Sequence, residues 1–116
     1  MDRNFFKQSN VYIMFCLAKV SNLLKNAIEA VGESGNQDAK VWVEIGRNSK
    51  GNLFIDICNT GIPISDEIRD NIFVPFFTTK ANGNGIGLSI SRQIMRMHDG
   101  TLTLSTKPFT RFRIQF

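Results

Sequence analysis

Three glycines at alternate positions, Gly83, Gly85 and Gly87, constrain this chain more than any other feature. They close residues 72–88, where two aromatics, two threonines and Lys80 come just before them. Behind them Leu88, Ile90, Ile94 and Met97 recur at a spacing that predicts a helix of about three turns. Glycine lets backbone N–H groups approach a ligand with no Cβ in the way. A helix N-terminus adds unpaired donors and the positive end of a dipole, which suits an anion. With Lys80 as a mobile cation, the direct reading is a polyphosphate held under a flexible loop. Taken alone, the glycines could also be only a structural turn.

Two familiar phosphate-binding patterns do not fit. One places its lysine after the last glycine, whereas Lys80 precedes all three. The dinucleotide-binding pattern needs a strand just before the glycines, and Thr78, Thr79, Lys80, Ala81 and Asn82 are loop chemistry. The rest of the chain narrows the choice. Its 116 residues suit one domain with a real core, and 42% hydrophobic content is that of a globular protein. The longest apolar run, residues 11–18, is too short to cross a membrane and lacks a signal-cleavage pattern. Cys16 and Cys58 lack metal-ligand spacing and read as unpaired thiols. The net charge of +4 is mild and its basic residues are scattered, which argues against nucleic acid but suits an anionic ligand.

In chain order, residues 1–8 form a lead with no clear period. Ile13, Leu17, Val20, Leu24, Ala27 and Val31 then step by three and four, one face of a helix over residues 11–31. Asn22 and Asn26 lie one turn apart on another face of that helix. Asparagine is a poor helix former, so the pair reads either as a solvated face or as amide oxygens for a hard cation such as Mg2+. Residues 40–46 and 53–58 alternate as a β-hairpin, and the second strand runs into a turn from Asn59 to Ile64. Ser65 caps a short helix carrying Asp66 and Glu67 in its first turn. The helix behind the glycines is closed by His98, Asp99 and Gly100, and a second hairpin spans residues 101–105 and 110–116.

Four segments together resemble a known family. Residues 22–30, Asn-Leu-Leu-Lys-Asn-Ala-Ile-Glu-Ala, look like the N box of the GHKL ATPase superfamily, and specifically of bacterial sensor histidine kinases. Residues 59–64 stand where that family has its first glycine box. Residues 73–80 match its F box, and residues 83–88 its second glycine box. The four motifs occur in the family's order within residues 20–116, leaving 1–19 as a lead with an apolar insertion.

The resemblance implies the Bergerat fold, an α+β two-layer sandwich: a mixed, mostly antiparallel sheet with helices on one face. It implies ATP and Mg2+ as ligands, with Asn26 as the metal ligand and Asn22 on the attacking side. Gly61 and Ile64 would line the adenine pocket together with Asn59, and Thr110 would help read the base. Ala30, Phe77 and Leu88 belong to the same nucleotide-binding set. Thr79 and Lys80 would lie in a lid over residues 66–84, and Gly83, Gly85 and Gly87 would pass backbone N–H groups to the phosphates. Phosphoryl transfer needs mainly positioning and charge neutralisation, so the catalytic set is Asn22, Asn26 and Lys80.

Three departures stand out. Asparagine at 59 replaces the family's usual aspartate and Pro63 a glycine; a neutral acceptor binds less strongly than a charged one. About ten residues, 9–18, are inserted ahead of the N box. The helical hairpin bearing the family's phosphoacceptor histidine is absent, and His98, the single histidine, matches a structural position. The expected function is the ATP-binding catalytic domain of a sensor histidine kinase, passing the γ-phosphoryl group to a histidine elsewhere. The alternatives are an anti-sigma-factor-like serine kinase and a non-catalytic nucleotide-binding or docking module. The implied partners are a phosphoacceptor domain and a response regulator. The implied compartment is the cytoplasm, with any membrane anchor carried by a longer parent. Tyr12, Met14 and Phe15 of the insertion are expected to remain uncovered, which favours a homodimer through residues 9–18.

Overall fold

The structure, a computed structural model, describes residues 3–75 and 87–116; within these, residues 3–11, 13 and 87 are described by their backbone alone. No glycine or proline falls between Arg3 and Val31, and nothing there stops a helix. Accordingly α1 runs unbroken over Arg3–Ser34. The helix expected over residues 11–31 thus begins earlier, at Arg3, and takes in most of the lead. Gly35, with φ 67°, turns the chain out.

Strand β1 (Val41–Arg47) and β2 (Leu53–Asn59) form the predicted hairpin. Its turn is built on Asn48, whose Oδ1 accepts from the backbone N–H of Lys50 at 3.0 Å and of Asn52 at 2.9 Å. Helix α2 (Asp66–Asn71) starts at Ser65, whose Oγ accepts from the N–H of Ile68 at 3.3 Å. Helix α3 (Gly87–Met97) is followed by β3 (Thr101–Ser105) and β4 (Thr110–Gln115), with a cis peptide bond at Lys107–Pro108 in their turn.

The end of α3 is a paired C-cap. The Gly100 N–H donates to the Met95 carbonyl at 2.8 Å and the Asp99 N–H to the Arg96 carbonyl at 3.2 Å. The left-handed residue of this cap is Asp99 (φ 61°) rather than the glycine. Gly100 is needed for space: a Cβ there would lie 2.7 Å from the Gln115 carbonyl oxygen and 3.0 Å from the Tyr12 hydroxyl.

The strands order as β1-β2-β4-β3 and every pairing among the described residues is antiparallel. α1 packs on β2 and α3 on β3, so the helices cover one face. Between the layers lies the core of Cys16, Leu23, Ala27, Ile57, Met95, Leu102, Phe112 and Ile114. The stripe that α1 buries overlaps the expected one, with Val20, Leu24 and Ala27 against the core, but is centred one residue earlier. Cys16, Leu23 and Ala27 are buried, whereas Leu17 is 66% exposed and Ile28 is exposed as well. Two apolar stripes run side by side on this helix, and the position of the sheet selects between them.

The expectation for residues 9–18 is corrected in part. Tyr12 stacks on His98, with ring centroids 4.2 Å apart and planes inclined by 17°, and meets Phe116 edge-on at 6.0 Å. Its hydroxyl donates to Met95 Sδ at 3.6 Å. Phe15 also packs against the core. Because α1 continues in register beyond the N box, it lays the Tyr12 ring over the end of β4 and the cap of α3. Of the three side chains expected to remain uncovered, Met14 does so, at 70% exposure.

The opposite face of the sheet carries Asp56, fully buried beneath two arginines. Arg113 clamps it with two bonds, Nε to Oδ1 at 2.7 Å and Nη2 to Oδ2 at 2.8 Å, and Arg111 Nε lies 3.3 Å from Oδ2. The guanidinium groups in turn cover the rings of Phe54 and Phe109. Donating to the Asp56 carboxylate raises the pKa of Arg113 above its ordinary value.

Candidate active site

Two walls bring the predicted residues together. The first is α1. Asn22 and Asn26 lie one turn apart on an exposed flank and look across a cavity of about 300 Å³ towards Leu88 and Ser91 of α3. Leu23 and Leu102 supply its apolar floor, while Lys19 and Lys25 stand beside the asparagines. The lining therefore offers neutral amide oxygens and positive charge over a hydrophobic base. That donor set suits a hard cation together with an anionic ligand. Asn22 and Asn26 face α3 because the core takes the neighbouring flank of α1, through Leu23 and Ala27.

The second wall is the end of β2. Asn59 and Thr110 are Cα partners across β2 and β4 and both are buried. With Gly61, Ile62 and Phe109 they line a cavity of about 120 Å³. The ladder is prolonged past them, since the Lys40 N–H donates to Thr60 Oγ1 at 2.9 Å and the Thr60 N–H to the Lys40 carbonyl at 3.0 Å. Asn59 Nδ2 donates to the Thr60 carbonyl at 2.9 Å, which directs the amide oxygen to the other side of the group. Burial pushes the pKa of the neighbouring Cys58 thiol up, against the opposing effect of Arg111. Both cysteines are free.

Gly61 joins the walls. Its φ of 121° belongs to glycine, and a Cβ on it would lie 3.4 Å from the Ala30 carbonyl oxygen. Ala30 thus meets the strand end one turn beyond Asn26 along α1. Ile64 and Leu88 both pack against the core from the same side of the sheet as α1. Gly87 opens α3, as expected of the last glycine. Phe77, Thr79, Lys80, Gly83 and Gly85 lie outside the described residues, as does the second half of the predicted lid, residues 76–84.

Some lining residues were not singled out from the sequence. Ser91 is one turn after Leu88, and Lys19 one turn before Asn22, so helical spacing alone carried the signal. Pro108 and Phe109, which line the smaller cavity, come from the β3–β4 turn and were legible only as a turn. A larger depression of about 380 Å³ lies elsewhere, between α2, α3 and β3, where Arg92 covers the ring of Phe73 at 4.6 Å. It contains neither asparagine of α1 nor Asn59.

Comparison with known proteins gives this arrangement a family. The family described as histidine kinase-, DNA gyrase B-, and HSP90-like ATPase matches residues 18–116. The C4-dicarboxylate transport sensor protein DctB of Rhizobium meliloti is 34% identical over 87 residues, 75% of this chain and 14% of its own length. The signal transduction histidine-protein kinase AtoS of Escherichia coli shows the same identity and coverage. The chain thus spans 14% of the length of these two relatives. Among solved structures, the nucleotide-free catalytic domain of histidine kinase ThkA superposes with a TM-score of 0.63 at 32% identity, covering 82% of this chain and 60% of that one. ThkA in complex with the response regulator TrrA matches with a TM-score of 0.60 at 31% identity, over 82% of this chain and 26% of that one. With the N-box asparagines, the strand-end pair and the two-layer fold in place, the chain belongs to the histidine kinase-, DNA gyrase B- and HSP90-like ATPase family.

Proposed function

We propose that this chain binds ATP with Mg2+ and acts as the catalytic domain of a sensor histidine kinase, donating the γ-phosphoryl group to a histidine on a separate domain. The observation that carries this reading is the placement of Asn22 and Asn26, facing α3 across a cavity of about 300 Å³, on the helix that also reaches the Asn59–Thr110 pair through Ala30 and Gly61. Asn26 would hold Mg2+ through its amide oxygen, and the metal supplies charge neutralisation for the phosphates. Asn22, nearer the start of α1, lies on the attacking side. Asn59, Thr110 and Gly61 receive the base. Lys80 of the F box and the glycines at 83, 85 and 87 of the second glycine box would complete the phosphate site.

AtoS and ThkA are named as histidine kinases, which favours histidine over serine as the acceptor. The ThkA–TrrA complex supports a response regulator as the downstream partner. ATP and such regulators are met in the cytoplasm, and the domain is placed there. Self-association through residues 9–18 would rest on Met14 and Leu17, since Tyr12 and Phe15 are engaged within the domain.

Calorimetry with a non-hydrolysable ATP analogue, with and without Mg2+, tests the reading. Wild type should bind more tightly with the metal, and Asn26→Ala should lose that increment while keeping the metal-independent part. A variant whose metal dependence matches wild type removes Asn26 from the metal site.

A further inference from the structure

The cavity beside α1 holds a feature that the family motifs leave unassigned. Lys19 precedes the N box by one turn, inside residues 18–116 that match the family but outside all four motifs. Yet it lines the same cavity as Asn22 and Asn26. Its ammonium lies 5.6 Å from the centroid of the Phe15 ring, which holds the charge at the N-terminal end of the cavity. Among the described residues no carboxylate stands within ion-pair distance of it. A half-buried lysine over an aromatic ring, without an acidic partner and facing a cavity, is placed to receive an anion.

Axial order says which anion. Along α1 the groups follow as Ala30 at the strand end, then Asn26, Asn22 and Lys19. At a rise of about 1.5 Å per residue, the eleven residues from Ala30 to Lys19 span roughly 16 Å, on the scale of an extended nucleoside triphosphate. The base end is fixed by Gly61 against Ala30, so Lys19 stands at the far end of the phosphate chain. Lys25 also lines the cavity, but it is next to Asn26 in sequence and level with the middle of that span.

We propose that Lys19 is a substrate-binding residue for the terminal phosphate, so that α1 measures the length of the nucleotide and discriminates a triphosphate from a diphosphate. The proposal rests on the ATP reading above and adds to it a named residue and a specificity. Phe15 is then a positioning residue that keeps the ammonium extended along the helix.

The test compares binding of ADP and of a non-hydrolysable ATP analogue to the 116-residue chain with Mg2+ present, by calorimetry. Lys19→Met keeps the aliphatic stem and removes the charge. It should weaken the ATP analogue about tenfold, the scale of one charge-assisted hydrogen bond, and ADP by less than about twofold. Lys19→Arg should restore most of the difference, and Lys25→Met should weaken both ligands alike. Retained ADP binding also shows that each variant is folded. Equal losses for the two nucleotides in Lys19→Met overturn the assignment, and so does a Lys25→Met variant that shifts the ratio as much. A wild type that binds ADP and ATP while Lys19→Met changes neither overturns the role of Lys19 alone. A wild type that binds neither overturns the nucleotide reading, and this proposal with it.

Discussion

Asn59 shows how a single hydrogen bond narrows a chemical choice. An asparagine at the end of β2 can present either an acceptor or a donor to a base, and a donor would relax the choice between adenine and guanine. One of its two N–H groups goes to the Thr60 carbonyl, an orientation that under the ATP reading would turn the oxygen towards the base and suit adenine. Asn59→Asp should therefore move two quantities in opposite directions. The charged acceptor should tighten ATP by about 1 kcal/mol and sharpen discrimination against GTP. Losing the donor to Thr60 should cost about 1 kcal/mol of stability without ligand, a loss common to the free and bound protein. Calorimetry and urea melts read the two separately; a variant unchanged in both affinity and base preference places Asn59 away from the base. Tyr12 offers a second check through pH. Burial, reinforced by Cys16, raises its pKa from 10.0 to about 12. The unfolded chain gives up this proton from about pH 10 and the folded one only near 12, so proton release favours unfolding between the two values. Its contribution is intact below pH 10 and declines as pH rises towards 12. Urea melts across that window should show a steeper loss in wild type than in Tyr12→Phe; parallel curves would place the phenol in water.

Helix α1 illustrates what periodicity conveys and what it leaves open. Val20, Leu24 and Ala27 of the predicted stripe do face the core, where Cys16 and Leu23 join them, while Leu17 of the same stripe is exposed. The two stripes differ by one residue, about 100° around the helix, and both are apolar. Sequence could not rank them, because the ranking depends on where β2 and β4 approach. The same argument predicts unequal effects for one chemical change. Leu23→Ala should cost about 3 kcal/mol, as expected for a buried leucine, whereas Leu17→Ala should cost under about 0.5 kcal/mol. Thermal melts of the two variants make the comparison, and equal losses would mean that the helix is rotated from the orientation described. In α3 the same limit applies: Met95 and Ser91 are buried while Ile90 and Met97 of the predicted period are exposed.

Across the molecule the sheet separates two kinds of chemistry. Its inner face is apolar and carries the helices and the candidate site. Its outer face is held by Asp56 between Arg111 and Arg113, with Phe54 and Phe109 against the guanidiniums. Removing the charge strands two cations on one neutral group, and Asp56→Asn should cost about 2–3 kcal/mol, somewhat below the usual cost of a broken buried pair because both arginines are partly solvated. Denaturation with urea measures this, and a loss below about 0.5 kcal/mol would mean that the clamp is open in solution. The sheet stabilises the site indirectly here, since Asn59 and Thr110 sit on the two strands that the clamp joins.

The hairpins, the Ser65 cap, the helix starting at the last glycine and the family itself were all legible in the chain, because each depends on neighbours within a few positions or on a run of residue types. The pairing of Asn59 with Thr110 was not legible as geometry, since it joins residues half the chain apart through the β2–β4 register. Nor was the fate of Tyr12, whose partners His98 and Phe116 come from the other end of the sequence. Local spacing sets which faces exist on an element. Only the packing of one layer on the other decides which of those faces is buried, which opens on the cavity and which lysine lies at its far end.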